Sequence, residues 1–314
     1  MNKKILITGG CGFIGSHLSE RFLSLGCDVL VIDNFSSGNP SNLPEHERLM
    51  VYEETITDIG TVDRLMGEFS PDIVIHAAVS PVRNFDTNLQ DVNVNIGGTL
   101  CLLDSARACN VDRFIYFQTA LCYGPTTEPL ISLDHPLQPQ SSYAISKTCA
   151  ERYIMESGLD FISFRLANHY GPRNLCGPVP IFFNNMRDGI RSTIVPARRD
   201  FVFVNDLVDL VEKACYGVGE SGVYHVASGV DYSILDLYLA IAGIMGIEPD
   251  YTYIGDYDAN AECSMRSMLL DATKTYEAFD WRPKGSLVDG LSKAVDWYKI
   301  YGAENTYTHL KVSG

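Results

Sequence analysis

"KKILITGGCGFIGSHL", residues 3–18, is the stretch on which the fold turns. An apolar, β-branched run ends at Gly9, glycines recur at 9, 12 and 15, and helical periodicity begins at Phe13. In a strand–turn–helix such glycines permit positive φ and close approach of the backbone to a pyrophosphate. The helix start adds unpaired N–H groups and the positive end of its dipole. Two lysines ahead of the run mimic a secretory signal, but Gly9 and Gly10 interrupt it, so we read a strand and a turn. Outward from there, "KKILIT", "DVLVID", "LMVYE", "DIVIHA", "RFIYFQ", "DFISFRL" and "GVYHVA" read as strands, while 13–25, 91–109 and 142–157 carry helical periodicity. "PQSS" offers a Ser N-cap to the last helix, and Gly158 a stop.

Strands alternating with helices imply parallel strands joined by crossovers, and runs without polar alternation imply a sheet covered on both faces. The expected fold class is therefore α/β, a Rossmann-type doubly wound parallel sheet. From about residue 169 the pattern loosens into loops and then three helices, which predicts a smaller, mostly C-terminal α/β substrate lobe. The expected division is 1–168 plus about 200–228 for nucleotide binding, and about 169–199 plus 229–314 for substrate.

A chain of 314 residues, 46% hydrophobic and 20% charged, is globular rather than disordered. No apolar run approaches the roughly 20 residues of a membrane helix. The net charge of -15 argues against nucleic acid or an anionic membrane as partner. Nine cysteines without CxxC spacing point to reduced core thiols, hence to the cytoplasm, and to no metal site. Cys11 and Cys122 fall inside motifs, but no base adjoins either in sequence. Arginines 165, 173, 187, 191, 198 and 199 face a single acid, Asp188, over that span, as a small-anion site or as a solvated face.

"VIDNF" places Asp33 about 20 residues beyond the glycines, where a carboxylate accepts the two adenosine ribose hydroxyls and repels a 2′-phosphate; NAD is favoured over NADP. Asp58 and Ile59 follow the third strand, either as an adenine contact or as a plain turn. "YAISK" sets Tyr143 and Lys147 four residues apart on one helix face. A lysine cation at roughly 6 Å and an effective dielectric near 20 favours the phenolate by about 3 kcal/mol, about two pKa units. That makes the phenol a usable base near neutral pH. "QTALCYG" puts the Thr119 hydroxyl after an apolar strand with no acidic neighbour.

Together these motifs resemble those of the extended short-chain dehydrogenase/reductases, in particular the NAD-dependent nucleotide-sugar epimerase/dehydratase family, over essentially the whole chain. The resemblance implies Tyr143 as acid/base, Lys147 as its electrostatic partner and ribose ligand, and Thr119 as the hydrogen-bond partner of the reacting hydroxyl. It implies NAD contacts from Gly9, Gly12, Phe13, Ile14, Gly15, Asp33, Asn34, Asp58, Ile59, Ala77 and Ala78, with Asn95 steadying the central sheet. Asn168, Val179 and Arg199 are implied for a nucleotide-diphosphate sugar, and a homodimer formed through the helices at 91–109 and 142–157. "DATKTYEAFDW" is similar to a late family segment that ends in Gly-Trp, with Asp280 in place of the Gly.

Family dehydratases carry an Asp-Glu pair after the Thr, and decarboxylases a Thr-x-Glu; here those positions are Ala120 and Leu121. Epimerization at C4 through a transient keto-sugar is the expected reaction, with a dehydratase, a ketoreductase and a non-catalytic dinucleotide sensor as alternatives. "QTALCYG", "YAISK" and "ARRDFVFV" are most similar to epimerases of surface-polysaccharide gene clusters. The family's Arg before Asp271 falls near Ala261 here, and the spacing does not show Arg266 taking its place.

Overall fold

The structure is a computed structural model that describes residues 3–80, 88–254, 267–304 and 306. In chain order it forms β1 (Lys4–Thr8), α1 (Phe13–Ser24), β2 (Asp28–Asp33), β3 (Leu49–Glu53), α2 (Ile59–Phe69) and β4 (Ile73–His76). A short α3 (Asn88–Asp91) runs through a π-helical stretch, Val92–Gly98, into α4 (Thr99–Ala108). Next come β5 (Arg113–Thr119), a single 3-10 turn (Ala120–Tyr123), α5 (Ser142–Met155), β6 (Phe161–Leu166) and β7 (Asn168–Tyr170). Then follow α6 (Pro178–Arg187), β8 (Ser192–Ile194), β9 (Arg198–Phe203), α7 (Val204–Cys215) and β10 (Gly222–Val226). The chain continues through β11 (Asp231–Ser233), α8 (Ile234–Met245), β12 (Tyr251–Tyr253), β13 (Ser267–Met268), α9 (Thr273–Phe279) and α10 (Leu287–Tyr301).

The seven apolar runs are the seven strands of one parallel sheet, ordered β10-β6-β5-β4-β1-β2-β3. Alternate residues of β1 bury on opposite faces: Ile5 and Ile7 pack with Leu18 and Phe22 of α1 and Leu207 and Val211 of α7. Leu6 packs instead with Leu65 of α2, Leu102 of α4 and Ala150 of α5. Helices on both faces explain the missing polar alternation, and make this the expected Rossmann-type α/β fold. Strand order reverses between β1 and β4, so a crevice opens beyond their carboxyl ends, where ligands of such sheets bind.

After β6 the chain leaves the sheet within one residue, and the stretch expected to be loops holds six strands of two or three residues, apart from β9 with six. β11, β9 and β13 form one small sheet, joined by β7, and β8 pairs with β12. Segments this short have no readable period, which is why only helices were visible there. Phe182 of α6, Tyr238 of α8, Leu291 of α10 and Phe201 of β9 meet in a second apolar core. Asp280 adopts φ +42° as the C-cap of α9, the left-handed conformation that a glycine takes without strain.

Candidate active site

The β1–α1 turn needs its glycines. Gly9 has φ +67°, and a Cβ there would stand 2.7 Å from the Ala78 nitrogen; a Cβ on Gly15 would collide with the Gly9 carbonyl oxygen. The open surface so preserved forms a cleft with Gly12, Asp33, Gly38 and Thr55. The backbone N–H groups of Cys11 and Phe35 each donate to one Asp33 oxygen at 2.9 Å, which fixes the carboxylate and leaves each oxygen a further lone pair. Burial raises the Asp33 pKa, while those two hydrogen bonds work against the rise. Asn34, Ala77 and Ala78 line the cleft as expected.

Asp58 and Ile59 are not among the residues that line this cleft. The Asp58 carboxylate caps α2, accepting from Gly60 N–H at 3.0 Å and the Thr61 hydroxyl at 2.9 Å, and Ile59 is exposed. The wall at that end consists of Glu54, Thr55 and Ile56. Asn95 likewise lines neither cleft: it is buried, accepts from Ser80 N–H at 2.8 Å and donates to the Ser146 hydroxyl at 2.9 Å. From the π-helical stretch it thus ties the end of the β4 crossover to α5.

A second cleft, of about 280 Å³, brings Thr119, Tyr143, Lys147, Asn168, Val179 and Arg199 together. Phe13, Ile14, Ala77 and Val79 line both clefts, so the two are contiguous. Thr119 ends β5; its oxygen accepts from Leu121 N–H at 3.2 Å, which leaves the hydroxyl proton to donate. Ser141 caps α5 by accepting from Ala144 N–H, which starts the helix one residue before Tyr143. Lys147 is buried with Nζ 3.9 Å from the centroid of the Tyr116 ring. Burial pushes its pKa down to about 7, against the opposing pull of the Glu151 carboxylate.

That depression has a measurable consequence. Below about pH 7 the lysine is protonated folded and unfolded, and the cost of burying its charge is present in full. As pH rises from about 7 towards 10.5 the folded state holds fewer protons, so stability rises with pH. Without dinucleotide, wild type should therefore gain stability relative to Lys147→Met between pH 7 and 9, with a slope of up to about 1.4 kcal/mol per unit. Parallel urea-unfolding profiles for the two proteins would contradict the burial of a titrating lysine.

The arginine-rich stretch is mostly not an anion site. Arg165 pairs with Glu151, Arg173 with Glu20, Arg187 with Asp188, Arg191 with Asp250 and Arg198 with Asp231. Of the six, only Arg199 lines the cleft. Burial pushes the Cys11 and Cys122 thiols up to about 12, which leaves neither as a thiolate nucleophile. Ser36, Ser37 and Gly38 of the first cleft, and Asn174, Gly177 and Met268 of the second, were missed in the sequence. The Ser-Ser-Gly run after Asp33 was the available signal for the first set. Ala261 and Arg266 lie outside the described residues. Among the described residues no group of His, Cys, Asp or Glu could hold a metal ion, and no helix is long and apolar enough to cross a membrane.

A tight turn with no room for a Cβ at Gly9 or Gly15, followed by a fixed carboxylate, fits a dinucleotide. The model of the NAD dependent epimerase/dehydratase family matches residues 5–227. A UDP-glucose 4-epimerase of Mycolicibacterium smegmatis is 33% identical over 316 residues, covering 94% of this chain and 98% of its own. A dTDP-glucose 4,6-dehydratase of Streptomyces antibioticus is 31% identical over 317 residues, covering 94% and 92%. Among solved structures, the Bordetella bronchiseptica enzyme WbmH in complex with NAD+ aligns with a TM-score of 0.89 at 41% identity, covering 96% of this chain and 100% of the other. A match that runs from β1 to the end of β10, through every residue of the two clefts except Met268, makes this chain a member of the NAD-dependent epimerase/dehydratase family, with NAD as its cofactor.

Proposed function

We propose that the protein interconverts two epimers of a nucleotide-diphosphate sugar by inverting C4 through a transient keto-sugar. One observation carries this reading: among the described residues, no Asp or Glu lines the second cleft, and Ala120 and Leu121 stand beside Thr119. Without a carboxylate there is no group to move protons at C5 and C6, whereas inversion at a carbinol needs only one proton and one hydride exchanged. NAD, when bound, supplies the acceptor and donor for that hydride.

In this reading Tyr143 takes the hydroxyl proton as the keto-sugar forms and returns it afterwards. Lys147, on the same helix face, favours the phenolate when charged, and the Thr119 hydroxyl holds the reacting oxygen by donation. Arg199 and Asn168 face the diphosphate, whose roughly two negative charges suit a guanidinium. Val179 supplies apolar wall.

The test is a panel of UDP-, dTDP-, GDP- and CDP-sugars followed by NMR in deuterated water. One member should convert to a second sugar with no deuterium at C5 and no net reduction of nicotinamide. Deuterium at C5 would favour a dehydratase, steady cofactor turnover a ketoreductase, and an unchanged panel a non-catalytic protein.

The two-unit division, 1–168 plus about 200–228 against about 169–199 plus 229–314, belongs to the same proposal and is supported by β10 joining the large sheet. So do a homodimer and a cytoplasmic setting. Leu89, Val92, Ile145 and Tyr153 are large apolar side chains left exposed on α3, the π-helical stretch and α5, which suits the helix pairing implied above.

A further inference from the structure

The three side chains assigned to the chemistry arrive on two elements. Tyr143 and Lys147 ride on α5, and Thr119 ends β5 at the 3-10 turn. Below the cleft those elements are joined by buried polar groups that the proposed reaction does not use. Glu151, one helical turn beyond Lys147, is fully buried. Its carboxylate accepts from Arg165 Nη2 at 2.7 Å, from Arg165 Nε at 3.2 Å and from the Ser163 hydroxyl at 2.6 Å. Arg165 Nη1 donates at 2.7 Å to the phenol oxygen of Tyr123, the last residue of the turn that begins just after Thr119, and the guanidinium lies 5.2 Å from the centre of that ring. The Tyr123 hydroxyl, held protonated by burial, donates onward to His225 Nε2, and His225 Nδ1 donates to the Asp271 carbonyl at 2.8 Å. Every bond in this chain is thereby satisfied in one direction.

A buried ion pair is a poor source of net stability, because desolvation of both charges offsets their attraction, and an apolar pair of similar volume is often as stable. Its geometry, however, is stricter than that of any apolar contact. Bidentate donation from Arg165 sets the rotation of α5, and its remaining donor sets the height of the Thr119 turn.

We propose that Tyr123, Arg165 and Glu151 are positioning residues that hold the Thr119 hydroxyl in register with Tyr143. This rests on the roles given to Thr119 and Tyr143 above, and its test separates the two. Tyr123→Phe, Thr119→Ala and the double variant are compared on the panel sugar that wild type converts. Tyr123→Phe should lower kcat about tenfold, with KM within twofold and bound NAD retained. In the Thr119→Ala background the same change should have no further effect, because the hydroxyl it positions is gone. Equal losses in both backgrounds, or no loss in either, would overturn the proposal. A Thr119→Ala protein as active as wild type would instead overturn the role of Thr119.

Glu151→Leu/Arg165→Met guards against simple unfolding. It should melt within a few degrees of wild type and still lose kcat, whereas full activity would refute positioning. Crystal structures of wild type and Tyr123→Phe decide the matter without any substrate. The distance from Thr119 Oγ1 to Tyr143 Oη should change by at least about 0.5 Å, and an unchanged distance would also refute it.

Discussion

Tyr143→Phe is expected to lower kcat by a factor of about 10² to 10⁴ while leaving the protein folded and its NAD in place. In the proposed reaction the phenol of Tyr143, on the Lys147 face of α5, is the group that takes and returns the proton. Phe keeps the ring and therefore the packing of α5. Among the described residues no carboxylate lines the cleft to take the phenol's place, and burial pushes the cleft's histidine, His169, down to about 4. In the proposed reading substrate is held mainly by Arg199 and Asn168, so KM should change little, and the loss should appear in kcat and kcat/KM together. The measurement is initial-rate NMR on the converted sugar, with retained dinucleotide read from the absorbance of the denatured supernatant. A variant that still turned over at a tenth of the wild-type rate or better would remove Tyr143 from the chemistry.

Arg165→Ala is expected to cost about 3–5 kcal/mol of stability. It strips the Glu151 carboxylate, which has no solvent exposure, of its guanidinium, and leaves the Tyr123 oxygen without its charged donor. An uncompensated buried charge cannot be rehydrated without opening α5 from the sheet. At the usual scaling for chains of this size, melting should fall by on the order of 10 °C. Thermal unfolding of NAD-bound protein checks this, and a fall of less than about 2 °C would mean that water reaches Glu151 or that its proton is retained. The contrast with the double apolar replacement is informative, because that variant removes both charges and their desolvation together.

The sequence made the large sheet legible because its inner strands β1, β2, β4, β5 and β6 are buried on both faces and therefore read as nearly unbroken apolar runs. The turn from Thr8 to Phe13 was legible for a different reason: crowding against Ala78 and within the turn itself admits only glycine at positions 9 and 15. Thr119, Tyr143 and Lys147 could be picked out because two share a helix face and the third ends a strand. What stayed hidden was pairing across long separations. Arg173 finds Glu20 at a distance of 153 residues, Arg191 finds Asp250 at 59 and Arg198 finds Asp231 at 33. A local count of charge sees an excess of cations where the folded chain has ion pairs. Asp58 is a similar case, since its partners at Gly60 and Thr61, which make it the cap of α2, appear only in the fold.

Phe13, Ile14, Ala77 and Val79 belong to the walls of both clefts, and this common partition has a thermodynamic corollary. Whatever factor an occupant on one side applies to affinity on the other, reversing the order of addition must give back the same factor. For NAD in the first cleft and the proposed sugar nucleotide in the second, any change that Ala77 enlargement makes to the effect of one on the other must therefore be read equally in both dissociation constants.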